Sequence, residues 1–128
     1  MPVKKVLDSE ERAVKCAALA LDKQALNVRI LEIGKLSSIA DYLVLASSRS
    51  DKQAQAIADS VRLGMKKFGK AIDIEGLAEG RWIVIDYGDV IVHVFQEDVR
   101  RYYNLDDLWS QAPLVEIPEE LPREGKPA

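Results

Sequence analysis

Asp73-Ile74-Glu75 sets two carboxylates two residues apart, and on an extended strand both project to the same side. Joined by Asp86 or Asp89, they would form an oxygen-rich set suited to a magnesium ion and phosphoryl transfer. The Ser47-Ser48 corner, just ahead of a capped helix, would suit a phosphate. His93, the only histidine of the chain, would serve as a general base oriented by Asp86 or Asp89. Asp-x-Glu is nevertheless a weak pattern, and no glycine-rich phosphate loop accompanies it. No serine or cysteine nucleophile is tied to His93 by any spacing. A magnesium-dependent nucleotidyltransferase using Asp73, Glu75 and Asp86 therefore stands as the alternative reading.

The element that must position these groups runs from Trp82 to Phe95. Two β-branched runs flank Tyr87-Gly88, and glycine at the second loop position suits the positive φ of a tight hairpin. A two-residue loop predicts that Asp86 faces Asp89, Ile85 faces Val90, Val84 faces Ile91, Ile83 faces Val92 and Trp82 faces His93. Alternation then sorts the hairpin into two faces. Ile83, Ile85, Val90, Val92 and Val94 make a core face. Trp82, Val84, Asp86, Asp89, Ile91, His93 and Phe95 make the other. Opposed like charges destabilise a strand pair, so Asp86 against Asp89 asks for a reason beyond folding.

The rest of the chain supplies a frame for that hairpin. Asp8 or Ser9 caps a first helix, with Val14, Ala17, Ala18 and Leu21 as its stripe and Cys16 beside it as a small hydrophobe. Asn27 to Ile33 reads as a strand ended by Gly34, and Tyr42 to Ala46 as a strand covered on both faces. Tyr42 reads as packing, with ligand contact as the competing role. Ser50 and Gln53 form a capping box for a second helix striped by Ala54, Ile57, Ala58, Val61, Met65 and Phe68. Gly64 within it predicts a close approach to the sheet, and Gly69 a left-handed cap. Lys66, Lys67 and Lys70 fit the helix dipole as a solvated charged end, ahead of nucleic-acid contact. Ala71 to Glu75 reads as a half-buried strand, residues 96–103 as a short helix, and Leu105, Leu108 and Trp109 as closing the core. From Pro113, four prolines and several glutamates in sixteen residues leave little to bury.

A single two-layer α+β domain over 1–112 follows, with a mixed sheet of about five strands and helices mainly on one face. Residues 113–128 form an extended or disordered acidic, proline-rich tail. At 128 residues and 48% hydrophobic composition the chain supports a core without staples. A lone cysteine excludes a disulfide framework and a cysteine-based metal site. Net charge −3 argues against affinity built on neutralising phosphates and leaves room for a basic protein partner, to which an acidic face would be complementary. No membrane-length apolar run and no signal-peptide core are seen, so a cytoplasmic protein without cofactors is expected.

Asp86-Tyr87-Gly88-Asp89-Val90-Ile91-Val92-His93-Val94-Phe95, with Arg101-Tyr102-Tyr103-Asn104-Leu105 and Leu108-Trp109, resembles the ribosomal silencing factor (Iojap-type) family. Leu36 to Ser47, Ser50 to Ala58 and Glu75-Gly76 extend the resemblance over residues 8–112, in the right order. Ala40 and Ser48 depart from it, standing where threonine and glycine are usual. The resemblance implies a nucleotidyltransferase-like fold without the catalytic metal triad. It implies a translational repressor, not an enzyme, that binds the large ribosomal subunit through its ribosomal protein number fourteen and blocks subunit joining when nutrients are short. It also carries the option of a homodimer. The residues themselves agree: Trp82 as anchor with Val84 and Ile91 lies inside an acidic rim of Asp86, Asp89 and Glu75, and Gly76, Tyr87 and His93 join them as partner-binding residues. Arg100, Tyr102 and Tyr103 extend that patch.

Overall fold

The computed structural model describes residues 6–118. In chain order the elements are α1 (Ser9–Leu21), β1 (Leu26–Glu32), β2 (Tyr42–Ser48), α2 (Asp51–Met65) and β3 (Asp73–Glu75). There follow β4 (Trp82–Asp86), β5 (Val90–Gln96), α3 (Glu97–Tyr103), α4 (Leu105–Leu108) and β6 (Leu114–Val115). The six strands lie in the order β3-β4-β5-β2-β1-β6. Only β2 and β5 pair in parallel; the remaining neighbours are antiparallel. The expected two-layer mixed sheet is therefore present, with one strand more than anticipated. That strand, β6, comes from the stretch read as tail: Leu114 and Val115 pair with Leu31 and Ile30. Residues 119–128 of the tail lie outside the described residues.

Local signals explain most boundaries. Asp8 caps α1 through a reciprocal box: its carboxylate accepts from Glu11 N at 2.8 Å, and Glu11 Oε1 accepts from Asp8 N at 3.0 Å. Ser50 Oγ accepts from Gln53 N and starts α2. The Gln53 side chain does not return to Ser50, as a capping box would require. Its Oε1 accepts from Arg49 N, and its Nε2 donates to the carbonyls of Lys23 and Gln24, tying α2 to the end of α1. Gly69 follows a 3-10 turn at Lys66–Phe68 with φ 130 and ψ 142, outside the left-handed helical cap geometry expected there.

Helices α1 and α2 cover one face of the sheet. Ile83, Ile85, Val90, Val92 and Val94 are fully buried beneath them, as the alternation predicts. Cys16 joins that core, and burial pushes its thiol up to about 12. Gly64 meets the Leu19 side chain of α1, so its missing side chain serves a helix–helix contact and not the helix–sheet approach expected. On the opposite face a second core gathers Leu31, Ile33, Leu43, Leu45 and Phe95 under Val99, Leu105, Trp109 and Ala112. Arg100 fastens this lid. Its Nε and Nη2 hold both Asp106 oxygens at 2.9 and 2.8 Å, and Nη1 donates to Asn27 O and Ser47 Oγ at 2.7 and 2.8 Å. Leu108, expected in the core, is exposed.

Candidate interaction site

The hairpin turn falls one residue later than expected, on Gly88-Asp89. Asp86 pairs with Ile91, Ile85 with Val92, Val84 with His93, Ile83 with Val94 and Trp82 with Phe95. Tyr87 N–H donates to Val90 O at 2.9 Å and closes the loop. Each partner has moved by two positions from the expected register. Because the side-chain period is also two, the sorting of β4 and β5 into faces survives. The opposition of Asp86 and Asp89 does not survive. Asp86 Oδ1 accepts from Gly88 N at 2.7 Å, stitching its own turn. Asp89 swings to α1, where it meets Arg12 Nε at 3.2 Å and Ser9 Oγ at 3.1 Å. Both aspartates thus have folding reasons, and Asp89 leaves the open face.

Four further expectations are corrected by packing. Tyr87 continues the helix-side row of Ile83 and Ile85; it is buried, with Arg12 lying 5.4 Å from its ring centre. Arg100 is buried by its four bonds to Asp106, Asn27 and Ser47, so neither residue offers a partner surface. Phe95 is fully buried between Arg100 and Trp82. The Ser47-Ser48 corner is likewise buried and forms no open phosphate cradle. Gly76 is explained by its backbone: at φ 80 it lets the Trp82 carbonyl approach where a Cβ would stand.

What stays half-open is the end of the sheet that α3 and α4 leave uncovered. Reading across the strands, Glu75 lies beside Val84, which lies beside His93; Asp73 lies beside Asp86, which lies beside Ile91. Glu75 and Asp73 are exposed on the short edge strand β3, and Val84, Asp86, Ile91 and His93 are half-buried. The result is an apolar strip running inward from an acidic edge.

Trp82 anchors the strip. Its Nε1 donates to His93 Nδ1 at 2.9 Å. An indole nitrogen can only donate, so Nδ1 carries the lone pair and the imidazole is neutral. Burial drives the same way, pushing the His93 pKa down to about 4. The Trp82 ring also meets Phe95 at 5.9 Å and Tyr103 at 4.7 Å, and Tyr102 stands edge-on to Tyr103 at 5.0 Å. An aromatic row therefore leads from the sheet onto α3, where Tyr102 and Tyr103 are exposed. Beside it opens a hollow of about 560 Å³, walled by Trp82, Val99, Tyr102 and Tyr103 and rimmed by the Arg81–Asp98 ion pair at 3.1 Å. Arg81 and Asp98 had no sequence signal of their own, because only the return of α3 against β4 brings them together.

The alternative, metal-based chemistry finds no matching geometry. Among the described residues no group of three or more histidine, cysteine or acidic side chains is placed to hold a metal ion. Asp73 and Asp86 are strand neighbours, but one Asp86 oxygen is committed to Gly88.

Comparison with known proteins bears on the same residues. Residues 6–128 match the family described as "Ribosomal silencing factor during starvation". A ribosomal silencing factor of Bacillus subtilis (strain 168) is 40% identical over 111 residues, covering 85% of this chain and 94% of that protein. The chloroplastic protein Iojap of Arabidopsis thaliana is 32% identical over 109 residues, covering 84% of this chain and 45% of its own length. Among solved structures, a Bacillus halodurans protein superposes with a TM-score of 0.72 at 36% identity, covering 85% of this chain and 99% of its own. A Chromobacterium violaceum protein superposes with a TM-score of 0.79 at 27% identity, covering 93% and 98%. Matched by that family over residues 6–128 and by a relative 40% identical over 85% of its length, the chain belongs to the ribosomal silencing factor family.

Proposed function

We propose that the chain is a cytoplasmic translational repressor that binds the large ribosomal subunit through its ribosomal protein number fourteen. Bound there, it sterically blocks joining of the small subunit under nutrient limitation. The observation that carries this reading is the half-open strip of Trp82, Val84, Ile91 and His93 beside the acidic edge of Asp73, Glu75 and Asp86. An aromatic anchor with an apolar middle and a charged rim is the anatomy of a protein interface. Ribosomal proteins are generally basic, so an acidic rim speeds and orients their approach.

Occlusion requires affinity and bulk and no reactive group. That suits a surface whose one imidazole is neutral, hydrogen-bonded to tryptophan and far from acting as a base at neutral pH. No helix among the described residues is long and apolar enough to cross a membrane. The experiment is subunit joining followed by light scattering with purified subunits. Saturating wild-type protein is expected to suppress joining, and Ile91→Glu, which puts a charge into the strip, to relieve the suppression. Unimpaired joining at saturation would overturn the reading. Metal-dependent nucleotide turnover lost in Asp73→Asn would favour the nucleotidyltransferase instead.

A further inference from the structure

The helix side of the sheet carries a second feature, which the docking strip does not use. Where α2 ends, Arg62, Lys66 and Lys70 converge on a cavity of about 340 Å³ whose wall is completed by Leu63, Ala71, Ile74 and Tyr87. The volume falls at the lower end of the range for small-molecule sites. In a chain of net charge −3 this is a local concentration of cations. Arg62 Nη2 pairs with Asp59 at 2.7 Å. Lys66 and Lys70 are exposed and make no ion pair among the described residues.

The Arg62 guanidinium beside two free ammonium groups forms a complementary set for an oxyanion. The rest of the lining is mainly aliphatic, which a bare inorganic ion would leave unused.

We propose that this cavity binds a small organic phosphate of about nucleotide size. Lys66, Lys70 and Arg62 hold the phosphate, and Leu63, Ala71 and Ile74 cover its apolar part. The site lies on the opposite side of the sheet from Trp82 and Ile91, so it stands or falls independently of ribosome docking.

The test is calorimetric titration of the full chain, without ribosomes, using adenosine and guanosine monophosphates. Adenosine, guanosine, inorganic phosphate and a short RNA serve as comparisons. At least one monophosphate is expected to bind at least tenfold more tightly than its nucleoside and than phosphate. Lys66→Gln/Lys70→Gln, at exposed positions, is expected to weaken it about tenfold or more, the loss of one to two charge-assisted hydrogen bonds. Urea unfolding of this double variant separates binding from folding: its stability should match wild type while its monophosphate affinity falls. No binding up to about 5 mM, at the weak end of measurable affinity, would overturn the proposal. So would binding indifferent to the lysine pair, equal binding of inorganic phosphate, or binding of the RNA in place of the mononucleotides.

Discussion

His93 gives the protein a stability profile that one residue should dominate. Unfolded, its imidazole takes a proton near 6.5; folded, it resists until about 4 because it is desolvated. The Nδ1 lone pair that a proton would occupy already accepts from Trp82 at 2.9 Å. Between those two values the unfolded state holds one proton more than the native state. Stability is therefore complete above about pH 6.5 and falls as pH drops, by about 1.4 kcal/mol per pH unit. The loss levels off near pH 4 at about 3 kcal/mol. That is a substantial part of the 5–15 kcal/mol typical of a domain, taken as an order of magnitude. Because the chain has a single histidine, no other side chain with an ordinary pKa titrates between about pH 5 and 6.5. Urea unfolding at closely spaced pH values reads the slope directly. His93→Gln can still accept from the indole but cannot titrate, so its profile should be flat over the same window, whatever its absolute stability. A flat wild-type profile, or equal slopes in the two proteins, would refute the buried neutral imidazole.

Other contacts give their own outcomes. Arg100→Met removes the donors to Asp106, Asn27 and Ser47 together and should cost about 3 kcal/mol in urea unfolding. Arg100→Lys should recover little of it, since an ammonium cannot grip both Asp106 oxygens as a fork. Gly64→Ala would gain up to about 1 kcal/mol in an exposed helix. Here it meets Leu19 and should instead destabilise by about 1–3 kcal/mol. In a Leu19→Ala background the same substitution should be neutral or stabilising. A simple gain in the wild-type background would show that the two helices have room to part.

The hairpin explains which parts of the fold were legible in the sequence. Strict alternation in Trp82–Asp86 and Val90–Gln96 assigns their faces wherever the turn falls, provided the register shifts by an even number of positions. The register did shift, by two, and Ile83, Ile85, Val92 and Val94 still reached the core. Tyr87 and Asp89 carried no such protection. Their directions depend on a loop geometry that glycine permits but does not dictate, and on Arg12, which arrives from 75 or more residues away. Arg100 misled for a related reason. A charged residue on a short helix reads as exposed, and only the fold brings Asp106, Asn27 and Ser47 to its guanidinium. Strand β6 was hidden because Leu114 and Val115 sit among prolines, and two residues give no period to read. The strip itself was visible early, since Trp82, Val84, Ile91 and His93 are unusual company for a sheet face that needs no partner.

Docking through that strip is tested most directly by co-sedimentation with isolated large ribosomal subunits across a salt series. Wild type is expected to co-migrate at low salt and to dissociate progressively as salt screens the acidic edge. Glu75→Lys/Ile91→Lys alters one exposed and one half-buried side chain of the strip. With circular dichroism showing it folded, it should remain at the top of the gradient at every salt concentration. Co-migration of the folded double variant indistinguishable from wild type would contradict the account.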